Sequence, residues 1–154
     1  MTTPTPLAGK TALVTGGARR VGAAIARTLH AAGANVVIHC HRSVSEAAAL
    51  AAELHARREG SASTISLDLH ATARLGELIE HAEQRFGALD ILVNNASTFY
   101  PTPVGEITEA HWDDLLGSNL KAPLFLAQAA APALKRSQGL ILNIVDIHGM
   151  RPLS

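Results

Sequence analysis

Apolar positions along this chain fall into two alternating patterns. Short, nearly continuous apolar runs occupy residues 11–15, 35–40, 63–67, 89–94 and 140–145. Runs of that length are what strands buried on both faces require. Longer stretches between them carry apolar residues at helical spacing and predict helices over residues 20–32, from Ser43 or Ser45 to Glu59, over about 71–86, and over much of 109–135. Gly33, Gly60 and Gly87 stand as stop signals. Either serine is a suitable N-cap for the second helix, with Glu46 in its first turn. Pro123 predicts a break or a new start in the fourth. Strands alternating with helices predict an α/β fold, a doubly wound parallel sheet of about five strands covered on both faces. No repeat, low-complexity tract or linker interrupts the pattern, so residues 1–154 read as a single domain.

Composition narrows the classes of function. Hydrophobic residues are 47% and charged residues 17%, a globular balance, and formal net charge is +0. Neither nucleic acid nor a membrane surface attracts a protein without net charge, and the bases form no aromatic-interleaved stripe. No apolar run reaches the ~18–20 residues of a membrane span. The start, Met-Thr-Thr-Pro-Thr-Pro, lacks the charged and apolar regions of a signal peptide. One cysteine, Cys40, excludes an intrachain disulfide and fits a cytoplasmic home. His39 and His41 flank it, but with no further cysteine nearby they argue against a metal site.

In an open parallel sheet, ligands bind outside the carboxyl ends of the strands. That rule selects residues 16–22, 41–43, 68–70, 94–103 and 146–149. The first reads Gly16-Gly-Ala-Arg-Arg-Val-Gly22 directly after the first strand. The first acid is Glu46, and five bases precede it: Lys10, Arg19, Arg20, Arg27 and Arg42. A turn that frees backbone N–H groups, a helix N-terminus and surrounding positive charge make a seat for phosphate. An NTPase loop is excluded, because Ala23-Ala24 stands where Lys-Ser/Thr is needed. Strict Gly-x-Gly-x-x-Gly is absent too, and an ordinary strand–helix turn is the competing reading.

The end of the second strand reads His39-Cys-His-Arg-Ser43, where an NAD site carries an acid for the ribose 2′-hydroxyl. Arg42 would pair with a 2′-phosphate and Ser43 donate to it, which predicts NADPH over NADH. Asp68 would accept from an adenine amino group with Leu69 covering the ring, or cap the next helix. Asn94-Asn-Ala-Ser-Thr-Phe-Tyr100 allows close backbone approach and offers two aromatics for stacking a flat ring, unless Tyr100 anchors the loop. Asn119, in a helical region, bonds backbone or water. Asp146 ends an apolar strand; a partly buried carboxylate there has a raised pKa and can donate a proton, and a turn or cap role competes.

Together these segments resemble the short-chain dehydrogenase/reductases, and within them the pteridine reductases, from Lys10 to Leu153. Most of the superfamily has Thr-Gly-x-x-x-Gly-x-Gly; here Arg20 replaces the middle glycine, as in that subgroup. His-x-His-Arg-Ser at 39–43, Asn-Asn-Ala-Ser-Thr-Phe-Tyr-Pro-Thr-Pro at 94–103 and Asp146, where Ser is usual, fit it as well. The resemblance implies a Rossmann-like sheet of order 3-2-1-4-5, incomplete against the family fold. It implies that Gly16, Arg19, Arg20, Val21, Gly22, His41, Arg42 and Ser43 hold NADPH. Asp68 and Leu69 would meet its adenine, and Asn95, Ala96 and Ser97 its ribose and nicotinamide side. Phe99 would stack a pterin-like substrate, with Arg20 and Ser97 at its polar edge. Asn119 and Asp146 would serve proton transfer. The family's Tyr-x-x-x-Lys is missing, as are the later strands. On that basis the chain reads as the first part of a longer reductase, weakly active or inactive alone, with strand five left as an edge and its apolar faces uncovered. A homotetramer is implied only for a complete chain. Two other readings compete: a general carbonyl reductase, distinguished by the residue at 146, and a non-catalytic nucleotide- or partner-binding fragment.

Overall fold

The computed structural model describes residues 5–146 and 150–151. Five strands, β1 (Thr11–Val14), β2 (Asn35–Cys40), β3 (Ala62–Ser66), β4 (Ile91–Asn94) and β5 (Leu140–Asn143), form one parallel sheet in the order β3-β2-β1-β4-β5. The helices are α1 (Arg20–Ala31), α2 (Val44–Arg57), α3 (Gly76–Phe86), α4 (Glu109–Leu116) and α5 (Ala122–Ser137). A short 3-10 turn, Thr72–Arg74, precedes α3, and one π turn, Gly117–Lys121, joins α4 to α5.

Strand periodicity splits the core into two layers. Ala12, Val14, Val36, Ile38 and Val93 pack with Ala23 and Ala26 of α1 and with Leu50 and Leu54 of α2. The intervening Leu13, Val37 and Leu92 face the other way, onto Leu78, Ile79 and Ala82 of α3 and Leu126 and Ala130 of α5. Side chains alternate across a strand, so β1, β2 and β4, covered on both faces, are buried at nearly every position. Each buried leucine or valine stabilises the fold by about 1.5–3 kcal/mol. The flanks differ. After buried Ala62, β3 alternates half-buried and exposed, and all four residues of β5 are exposed. Strand five is the expected edge.

The helix boundaries carry the corrections. Gly33 and Gly87 follow α1 and α3 at positive φ, as helix stops require. Ser43 occupies the N-cap position of α2, but its hydroxyl makes no cap bond, and Ser45 donates to Glu46 instead. Of the break or new start expected at Pro123, the new start is found, since α5 begins at Ala122. Pro123 sits in the first turn of α5, and the irregularity lies before it in the π turn. No helix among the described residues is long and apolar enough to cross a membrane.

Candidate functional site

The carboxyl ends of the five strands open into one groove of about 1900 Å³, closed along one side by α4, the π turn and α5. Every residue singled out from the sequence for cofactor, substrate or proton transfer lines it, from Gly16 to Asp146. Tyr100 does not. Its hydroxyl donates to Asp114 Oδ2 at 3.0 Å and its ring meets His111 edge-on, so the loop-anchor reading holds. Loss of solvent and the Asp114 carboxylate raise its pKa.

The glycine turn is built differently from the expectation. Gly16 has φ +59°, and its N–H donates to His39 Nδ1 at 3.2 Å, while the Gly17 N–H donates to the His39 carbonyl at 2.8 Å. Those two donors serve β2 and are not open to a ligand. The open donors are one turn later. Ala23 is the first amide of α1 to bond back, to Arg19 O, so the N–H groups of Arg20, Val21 and Gly22 have no partner within the helix. The N-cap Arg19 makes no side-chain cap bond, and the first turn contains no acid. Gly22 is glycine because a Cβ would lie 2.1 Å from Gly16 O and 2.6 Å from Asn95 Nδ2. Arg20 has φ +50°, a left-handed backbone that costs an L-residue about 1–2 kcal/mol. The positive setting is also less complete in space than in sequence: Glu46 Oε1 folds back to 3.6 Å from Arg19 Nη1, an exposed and weak pair.

The loop after β4 is tied to the glycine turn. The buried Thr15 hydroxyl donates to Val93 O at 3.2 Å and accepts from the N–H groups of Asn95 and Ala96, at 3.0 and 3.1 Å. Asn95 Nδ2 returns bonds to Thr15 O and Gly16 O. Asn94 Nδ2 donates to Asn143 Oδ1 at 2.8 Å, joining β4 to β5. Asn119 lies in the π turn and clasps Thr98: its Oδ1 accepts from Thr98 N at 2.9 Å and its Nδ2 donates to Thr98 O at 2.8 Å. π turns recur at functional sites. Phe99, next along, is 78% exposed in the groove.

At the other end, His41 and Arg42 are exposed and Ser43 is half-buried at the start of α2. Asp68 Oδ1 accepts from the His70 amide at 3.0 Å and faces His70 Nδ1 at 3.1 Å. The His70 amide is the main reason its carboxyl is held below the usual range. It does not cap the following 3-10 turn. Leu69 is buried among the core residues beneath α3 and α5 as well as lining the groove. Asp146 lines the groove but is exposed, contrary to the partial burial expected, because β5 ends at Asn143 on the uncovered edge.

Three contributors escaped sequence reading. His39 and Thr15 entered the sequence reading only within quoted motifs, with His39 also weighed for a metal, and His70 only as the close of a segment; none was given a role in holding the site. Their partners lie 23 to 81 residues away, where no local pattern reveals them. No group of three or more His, Cys, Asp or Glu suited to a metal occurs among the described residues.

Comparison with known proteins agrees with this geometry. The chain is 41% identical over 180 aligned residues to pteridine reductase 1 of Leishmania tarentolae, covering 92% of this chain and 62% of that protein. It is 40% identical over 146 residues to a short chain dehydrogenase/reductase of Colletotrichum higginsianum, covering 92% and 54%. An uncharacterized oxidoreductase of Staphylococcus aureus is 35% identical over 146 residues, covering 94% and 62%. The chain thus spans a little over half the length of these relatives. The short chain dehydrogenase family model matches residues 10–154, and with the parallel sheet and its ligand-edge groove this places the chain in the short-chain dehydrogenase family of oxidoreductases.

Proposed function

We propose that this chain is the cofactor-binding part of an NADPH-dependent reductase acting on pterin-like rings. The observation that carries the reading is Arg20, an arginine held at φ +50° on the groove wall at the head of α1. A strained, exposed, charged residue at that point is better explained by a ligand than by the fold. Arg42 and Ser43 at the end of β2 support a 2′-phosphate. The two nearest acids along the chain are engaged elsewhere, Glu46 with Arg19 and Glu53 with Arg27 and Arg57. The likeness to a pteridine reductase and the exposed ring of Phe99 support a flat heteroaromatic substrate.

NADPH, when bound, supplies the hydride. On this reading the amides of Arg20, Val21 and Gly22, with the Arg19 and Arg20 side chains, hold its bridging phosphates. His41, Arg42 and Ser43 hold the 2′-phosphate, Asp68 and Leu69 the adenine, and Asn95, Ala96 and Ser97 the ribose and nicotinamide side. Arg20, Ser97 and Phe99 orient the substrate. Asp146 carries the proton, and Asn119, which holds the Thr98 loop on the same groove, serves that transfer. The cytoplasm is the proposed location, and a homotetramer the proposed state of the whole protein.

Calorimetry of the chain with NADPH and NADH tests the cofactor. We expect NADPH to bind at least about tenfold more tightly, the effect of one charged hydrogen bond. Equal affinities contradict the assignment. A general carbonyl reductase is the second reading, since the Colletotrichum relative, nearly as identical as the pteridine reductase, is named only as a short chain dehydrogenase/reductase. Turnover of a simple ketone without turnover of dihydrobiopterin, in a protein of the relatives' full length, would decide for it. Binding of NADPH without turnover is the third, favoured by the single tyrosine, Tyr100, whose hydroxyl is committed to Asp114.

A further inference from the structure

His70 plays no part in the proposed function, yet its ring joins segments far apart in sequence. On one side Asp68 Oδ1 accepts from the His70 amide and faces Nδ1 at 3.1 Å. On the other, Nε2 lies 3.3 Å from the Asp114 carbonyl oxygen and 3.5 Å from Asp114 Oδ1. The ring also fills the space beside Gly117, where a Cβ would come within 2.6 Å of Cδ2 and 2.8 Å of Nε2. Gly117 opens the π turn, so absence of a side chain there is what admits the imidazole. Two residues on, Asn119 clasps both backbone groups of Thr98. Asp114 meanwhile takes the Tyr100 hydroxyl on its carboxylate and the Ser118 hydroxyl on its carbonyl. An unbroken set of contacts therefore runs from the loop after β3, through His70, to the π turn and the loop of Ser97, Thr98 and Phe99.

We propose that His70 is a positioning residue: it braces the loop after β3 against the π turn, and so fixes the Thr98–Phe99 side of the groove relative to the Asp68 side. The brace stands on the contacts alone, and its consequence for ligand binding rests on the cofactor reading above.

Amide hydrogen exchange, followed by NMR on the full 154-residue chain, reads the brace without a ligand. His70→Ala should speed exchange at Thr98, whose N–H donates to Asn119, by about tenfold, with Leu92 and Val93 of the central sheet unchanged. Gly117→Ala keeps the imidazole but expels it, and should do the same. Simple space-filling predicts full rescue by His70→Leu. We expect none from leucine and partial rescue from His70→Gln, whose amide reaches toward Asp114. Unchanged Thr98 exchange in both His70→Ala and Gly117→Ala, or full rescue by leucine, overturns the brace. Should His70→Ala lose protection at Leu92 and Val93 as well, the leucine–glutamine comparison decides. In a second arm NADPH should bind His70→Ala about tenfold more weakly than the parent chain, and equal affinity overturns the link from brace to groove. Failure of the parent chain itself to bind NADPH would sink the cofactor reading, and the exchange data would still judge the brace.

Discussion

His39 Nδ1 accepts a hydrogen bond from the Gly16 amide at 3.2 Å, and its other ring nitrogen, Nε2, lies 2.9 Å from the Leu67 carbonyl oxygen. An amide N–H only donates, so Nδ1 is the acceptor and Nε2 carries the proton. The ring is neutral, 1% exposed, and holds the glycine turn against β2 and the end of β3. Burial lowers its pKa, His41 lowers it slightly further, and the Leu67 carbonyl opposes both.

Acid should therefore loosen the turn. The folded-state pKa of His39 lies below the ordinary 6.5, so the unfolded chain binds the extra proton first. Its stabilising effect is complete above about pH 6.5 and is lost as pH falls from there toward the folded-state value. His30 beside Ser61 and His81 beside Ser63 are shifted the same way, chiefly by burial, and add to the slope. The urea midpoint should be lower at about pH 5 than at about pH 7.5. His39→Leu should cost about 2–4 kcal/mol, because the Gly16 N–H and the Leu67 carbonyl both lose a partner, and it should flatten part of the slope. A midpoint independent of pH in the parent chain would refute the argument.

Arg20 separates strain from binding. Arg20→Gly relieves about 1–2 kcal/mol of left-handed backbone strain and costs part of that in chain entropy, so a net gain of about 0.5–1 kcal/mol is expected. Arg20→Ala keeps the strain and should leave stability nearly unchanged. Both should weaken NADPH about tenfold, since both delete the guanidinium. Thermal unfolding together with calorimetry checks the pair. An Arg20→Gly chain that is no more stable, or that binds NADPH as well as the parent, would remove the case for Arg20 as a ligand residue.

Arg42 tests the choice of cofactor. Arg42→Ala should weaken NADPH about tenfold and leave NADH unchanged, because only the former carries the 2′-phosphate. Arg42 is exposed, so the difference should shrink at high salt. Equal losses for the two cofactors would mean that Arg42 acts on the fold or on a shared phosphate.

The sheet was legible from the chain because its signals are local. The apolar runs give β1 to β5 within two residues at either end, and the glycines give the ends of α1 and α3. The ligand edge was legible for the same reason, since the carboxyl ends of parallel strands share one rim. What escaped was the way the rim is held. Gly16 and Gly17 give their N–H groups to His39, Asn119 gives both amide atoms to Thr98, and the π turn accommodates His70 beside Gly117. Each contact crosses at least 21 residues of sequence. Pro123 drew attention as the local irregularity, although it stands at a place in α5 that tolerates proline.

The β5 edge should govern association. Leu140, Ile141, Leu142, Ile144 and Val145 are 38–84% exposed, and Leu124 and Phe125 on neighbouring α5 are 62% and 39% exposed. An apolar strand with one edge unpaired is a template for another chain, and no charged side chain interrupts residues 140–145. Sedimentation velocity of the 154-residue chain should therefore show concentration-dependent association. Ile141 and Leu142 point to opposite faces of the sheet, so Ile141→Lys and Leu142→Lys place a charge on each face in turn. Either should weaken association by about tenfold, while stability moves by less than about 1 kcal/mol, as for other exposed positions. If one lysine suppresses association and the other does not, that face is the contact. If both leave it intact, association runs through another surface, such as exposed Trp112 on α4. A chain that stays monomeric at every concentration would show that this open edge does not drive pairing.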